Sequence, residues 1–121
     1  MNDLNERDAS RLRDMLENAR LARHFIQDKS RDDLYSDTML AYAVVRALEV
    51  IGEAANRVTS EVQATMPDIE WSNIIGMRHR MIHGYDKVNH DIVWTVVEDQ
   101  LPALIEQLLS VLRPVYPDLD T

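Results

Sequence analysis

Cysteine is absent from this 121-residue chain, which excludes a disulfide framework, a thiolate nucleophile and a Cys-ligated zinc. Glycine and proline are scarce, at 3 and 4 residues, and leave little material for the turns of a sheet protein. No apolar run approaches the roughly 20 residues that span a bilayer. The opening Met1-Asn2-Asp3-Leu4-Asn5-Glu6-Arg7 is polar, without the apolar core of a signal peptide. A cytoplasmic protein with no membrane contact is therefore expected. Positive charge is also short, with 13 Lys and Arg against 21 Asp and Glu and a net charge of −8. That balance argues against a general nucleic-acid coat, which carries a basic footprint. What is abundant is apolar: 45% of the residues are hydrophobic, enough for one domain with a real core.

Apolar residues recur with helical spacing. Leu12, Met15, Ala19, Ala22 and Ile26 form one stripe, with Arg11, Arg13, Asp14, Glu17 and Arg20 opposite. The spacing predicts a helix over about residues 6–27, followed by a polar loop at 28–33. Ser36 or Asp37 can cap a second helix, whose stripe runs Leu40, Val44, Ala47, Ile51, Ala54, Val58 and Val62. Gly52 lies inside it, where the expectation is close packing against another helix. Pro67 bars continuation. Asp68 can cap a short third helix with the apolar face Trp71, Ile74, Ile75 and Ile82, ended by Gly84. Asn89 can cap a fourth, carrying Ile92, Val93, Val96, Val97, Leu101, Leu104, Ile105, Leu108 and Leu112. A bend is expected at Pro102, which has no N–H for the Glu98 carbonyl. The tail from Arg113, with Pro114 and Pro117, cannot stay helical. The expected fold is an all-α bundle of four principal helices, with residues 1–121 as one domain between a short polar start and a proline-containing tail. Trp71 and Trp94 read as core anchors rather than stacking platforms, and His24 and His90 as surface residues.

Charge is not spread evenly. From Gly76 to His90 the charged residues are Arg78, Arg80, Asp86 and Lys87, and three of the four histidines (His79, His83 and His90) join them. A cationic island on an acidic body suits a small, defined RNA target. On an ideal helix Arg78 and His83 lie roughly 140° apart, and they can converge through the length of Arg and unwinding at Gly84. An Arg and a His at one phosphate could divide the work of RNA cleavage. The Arg would stabilise charge on the pentavalent transition state, and the His would carry a proton. RNA supplies its own nucleophile, so this chemistry requires no metal or cofactor. The same spacing also fits a solvated helix end with a capping histidine. A third reading is metal binding by His79 and His83 at i, i+4, weakened by the lack of a glutamate between them and of a third ligand nearby.

Resemblance separates these readings. Gly76-Met77-Arg78-His79-Arg80-Met81-Ile82-His83-Gly84-Tyr85 resembles the Arg-x4-His-x-Tyr signature of HepT-like toxins in the HEPN superfamily. Arg46-Ala47-Leu48-Glu49-Val50-Ile51-Gly52-Glu53-Ala54-Ala55 is similar to the family's second-helix motif ending in Gly-Glu-Ala. Pro67-Asp68-Ile69-Glu70-Trp71 resembles its entry to the third helix, and Val93-Trp94 and Leu101-Pro102 resemble its fourth. Together these cover about residues 7–112. One position departs: His79 stands where the family usually has Asn, which leaves it open to act as a second acid or base.

The resemblance implies a HEPN-type homodimer in which two Arg–His motifs face a shared cleft. It implies a metal-independent endoribonuclease, with tRNA among the family's substrates, and Arg78 and His83 as catalytic residues. It implies neutralisation by an MntA-type nucleotidyltransferase antitoxin that transfers AMP to Tyr85, adding bulk and negative charge where a phosphate should sit. Glu53 is given a supporting role, holding the motif Arg by an ion pair, with a solvated glutamate as the plain alternative. Arg80 and Lys87 can contact RNA phosphates or simply aid solubility. The rival from another class is a catalytically silent HEPN module that partners a nucleotidyltransferase.

Overall fold

The structure, a computed structural model, describes residues 4–83 and 87–119, with His83 as backbone alone. Helix α1 (Glu6–Phe25) begins where the Asn5 side-chain oxygen accepts the Asp8 N–H at 2.8 Å, satisfying one orphan donor of the first turn. Its buried face is the expected stripe, widened by Leu16, and Ile26 is buried just beyond the helix end. Each buried leucine or methionine contributes about 2 kcal/mol, so packing rather than propensity holds α1 in place. Asp28 then turns the chain at φ 62°, the left-handed region that Asp tolerates better than most residues.

Residues 28–33 are not all loop. Ser30 and Asp33 form a reciprocal capping box, with the Ser30 N–H donating to the Asp33 carboxylate at 2.8 Å, and this starts α2 (Arg31–Ser36), which buries Leu34. Asp37 rather than Ser36 caps α3 (Thr38–Arg57), accepting the Leu40 N–H at 3.1 Å. The expected α3 stripe is buried from Leu40 to Ala54, but the helix stops at Arg57. Val58 is extended, and Thr59 caps a separate α4 (Ser60–Thr65) that carries Val62.

The break is held by the first turn of α1. The backbone N–H and the hydroxyl of Thr59 both donate to Asp8 at 2.9 Å, and Asp8 is 1% exposed. Burial pushes the Asp8 carboxyl up, but the bonds from Thr59 and Asn5, with the charge of Arg7, outweigh it and hold the group below its ordinary value.

The third helix is the largest departure. Helix α5 (Trp71–Ile75) follows Glu70 without a side-chain cap, so Asp68 does not cap it. Trp71 is anchored by its indole N–H, which donates to the Met66 carbonyl at 3.1 Å. Gly76 interrupts the helix, and α6 (Met77–Met81) ends it well before Gly84, which lies outside the described residues. Ile82 is not helical but sits in strand β1 (Ile82–His83), antiparallel to β2 (Lys87–Val88) with Ile82 opposite Val88 and His83 opposite Lys87. The Asn89 N–H closes this hairpin on the Met81 carbonyl at 2.7 Å.

Asn89 caps α7 (His90–Thr95) as expected, accepting the Ile92 N–H at 3.1 Å. Ahead of Pro102, a π-helical turn over Val96–Gln100 precedes α8 (Leu101–Leu112). The Leu101 N–H reaches back to the Val96 carbonyl. Pro102 has no N–H to offer Val97, whose carbonyl instead accepts from Arg23 Nη1 at 3.3 Å.

Helix α1 packs along α3 and along α8, α5 and α6 lie against α3, and α2 joins α3 to α7. The fold is all-α with the four expected principal helices, three of them interrupted, and the short ladder is the only sheet among the described residues. Trp71 and Trp94 pack against the core as expected. His24 is exposed, whereas His90 is half-buried beneath the Tyr35 ring, 4.8 Å away. Among the described residues no helix is long and apolar enough to cross a membrane.

Candidate active site

The candidate site begins with Gly52. A Cβ there would lie 3.0 Å from the Ile74 carbonyl oxygen, so only glycine lets α5 come this close to α3. That approach carries α6 with it, and the buried Met77 and Met81 pin α6 into the core. Between them Arg78 and His79 point outward, and both line a groove of about 190 Å³ with Glu49, Gly52, Glu53 and Asn56 of α3.

Arg78 Nε donates to Glu49 Oε2 at 3.1 Å. The expected partner, Glu53, is engaged instead with Arg46 at 3.2 Å. Glu49 stands one helical turn before Glu53 and meets the guanidinium that α6 presents. Glu49 is the groove residue paired with Arg78 that sequence reasoning missed. The signal was present, since Glu49 shares one helix face with Arg46, Gly52 and Glu53 at helical spacings, but nothing in the sequence fixed which carboxylate α6 would meet.

The other cations divide. Arg80 is half-buried and lines a different groove, of about 270 Å³, beside Asp68, Glu70 and Asp99. It therefore does not join Arg78. Lys87 is exposed in β2, opposite His83 in the ladder. The His83 side chain and all of Tyr85, which carry the proton-transfer and modification assignments, lie outside the described residues. The backbone at His83 is extended, so the helix that carries His79 ends at Met81, before His83.

On the far side of Glu49 a wider groove, of about 850 Å³, is lined by Tyr35, Met39, Tyr42, Arg46 and His90. Met39 is 82% and Tyr42 75% exposed, an apolar edge of α3 that the sequence reading did not single out. Tyr35 ties α2 to α7 by donating its hydroxyl to Asp91 at 2.9 Å, and that bond holds the phenol above its ordinary pKa.

A family model described as "Ribonuclease HepT-like" matches residues 15–111, a span that contains both the α3 carboxylates and the Arg78 segment. The chain is 30% identical over 97 residues to a provisionally named RNase of Methanocaldococcus jannaschii, covering 80% of this chain and 89% of that one. It is 32% identical over 93 residues to a probable ribonuclease HepT of Thermococcus cleftensis, covering 77% and 84%. It is 36% identical over 84 residues to a provisionally named RNase of Caldanaerobacter subterraneus subsp. tengcongensis, covering 69% and 75%. No solved structure matches.

Proposed function

Because the chain belongs to the ribonuclease HepT-like family of the HEPN superfamily, we propose that it is a metal-independent endoribonuclease toxin, with residues 1–121 as a single HEPN domain. The observation that carries this reading is an exposed Arg78 guanidinium at the mouth of a groove, five residues before His83 and inside the family-matched span.

In the proposed reaction the RNA 2′-hydroxyl oxygen attacks the adjacent phosphorus and the P–O5′ bond breaks. A 2′,3′-cyclic phosphate and a 5′-hydroxyl result, so atoms balance without an added reactant. Arg78 stabilises the charge gathering on the non-bridging oxygens. His83 moves the proton, either from the 2′-hydroxyl or to the leaving oxygen. His79, in the groove beside Arg78, is the supporting acid or base, and Lys87 contacts the RNA backbone. Arg80 lies among carboxylates, which makes it the weaker of the two candidate phosphate contacts. The proposed substrate is tRNA.

Two partners belong to the same proposal. A second copy of the chain covers the exposed apolar edge of α3, which adjoins Glu49 and would bring two Arg78 sites to one cleft. An MntA-type nucleotidyltransferase silences the toxin by forming a bond from the Tyr85 phenolic oxygen to the α-phosphorus of ATP, with pyrophosphate leaving.

Purified protein incubated with total tRNA in EDTA tests the reading. Wild type should cut, and Arg78→Ala and His83→Ala should each lose about 100-fold or more in rate while staying folded. Cutting by either variant at the wild-type rate would remove that residue from the mechanism. Tyr85→Phe should remain an active nuclease yet gain no mass on incubation with ATP and the nucleotidyltransferase. An AMP adduct on that variant would place the modification elsewhere.

A further inference from the structure

We propose that Glu49 is a positioning residue that holds the Arg78 guanidinium in the orientation needed for a phosphate, an inference that rests on the ribonuclease reading above. The contact is specific in its atoms. Glu49 takes the Nε–H of Arg78 at 3.1 Å, on the stem side of the planar guanidinium. A carboxylate held there engages Nε–H and leaves the edge formed by Nη1 and Nη2 for another partner. That edge is the part of an arginine that reads a phosphate through two parallel hydrogen bonds.

Exposure separates the two partners. Glu49 is only 21% exposed, against 64% for Arg78. The glutamate is the fixed post, seated on a long helix between the two grooves, and the arginine is the arm. Without the post, an exposed arginine samples many rotamers, and misplacement of a charge-stabilising group costs rate even when binding survives. Stability is a poor explanation for the pair, since ion pairs this open to water contribute little to folding. Nor is Glu53 available as a substitute while it holds Arg46.

The bond geometry sets the expected pattern. Glu49→Ala should lower kcat for RNA cleavage about tenfold, which is about 1.4 kcal/mol of barrier, with KM within about threefold of wild type and an unchanged melting temperature. Glu49→Gln keeps an acceptor for Nε–H and should recover part of the loss. In protein labelled with ¹⁵N-arginine, the Arg78 Nε–Hε cross-peak, identified by its disappearance in Arg78→Lys, should shift in Glu49→Ala. It should not shift in Glu17→Ala, which breaks only the remote Arg13–Glu17 pair.

An unmoved cross-peak in Glu49→Ala would overturn the inference, as would a shifted one accompanied by wild-type kcat. Both of those results leave the ribonuclease reading standing, because the wild type still cuts and Arg78→Ala does not. A wild type unable to cut RNA would overturn the ribonuclease reading and this one with it, and that failure appears before any Glu49 variant is measured.

Discussion

A methyl group added at Gly52 would sit 3.0 Å from a backbone oxygen of α5, and a backbone cannot rotate aside as a side chain can. Overpacking against rigid backbone at Gly52→Ala should cost up to about 3 kcal/mol, and after the roughly 1 kcal/mol of helix propensity gained the protein should be destabilised by up to about 2 kcal/mol. Its RNA cleavage should fall further than the unfolded fraction accounts for, because α5 carries the Arg78 segment with it. A thermal melt beside a cleavage assay on the same sample checks both, and unchanged values in each would show that the helices can separate at no cost. Close packing at Gly52 was legible in the sequence, because a glycine inside an apolar helical stripe has few other uses. The partner of Arg78 was not. Glu49 and Glu53 lie one turn apart on the same face, and choosing between them requires the position at which α6 crosses α3.

Among the elements, the caps of α3 and α7 were legible, that of α5 was not, and continuity was read poorly. Asp37 and Asn89 open α3 and α7 as their side chains predict, because a cap depends on three or four neighbouring residues. The end of α3 depends on Asp8, 51 residues earlier in the chain, and no local pattern carries that information. This tie also makes stability depend on pH. The Asp8 carboxyl is held below its ordinary value of 3.8, so its contribution is fully present above that value and is lost as pH falls through the lower folded one. The melting temperature of wild type should drop on acidification below about pH 4. In Asp8→Asn the stability should be lower at neutral pH and the acid drop smaller. Parallel acid limbs for the two proteins would remove Asp8 as a source of the dependence. The interruptions at Gly76 and at the hairpin escaped the reading for a related reason. The apolar positions from Trp71 to Ile82 fit a helix, yet Ile82 meets its place by pairing with Val88.

At the scale of the molecule, the all-α fold and the family were both within reach of the sequence, since helical periodicity and ordered motifs run along most of the chain. The surface was less legible, because periodicity marks which residues are apolar and not which are left uncovered. Met39 and Tyr42 remain exposed on α3 although they flank its buried stripe. If a second copy covers them, Tyr42→Glu should sediment as a monomer and lose most of its cleavage, whereas wild type should sediment as a dimer. A monomeric wild type would instead leave that edge to another partner. The π turn ahead of α8 bears on the molecule in one more respect, the length of chain it can accept. Buried positions advance 19 residues from Val93 to Leu112, whereas five regular turns take about 18. The surplus residue is taken up in the wide turn at 96–100, and every later leucine stays in phase with α1. Removing one residue there would let the helix close into a regular spiral with its inward face intact. The same removal one turn later would rotate the remaining leucines by about 100°, out of the core and into water.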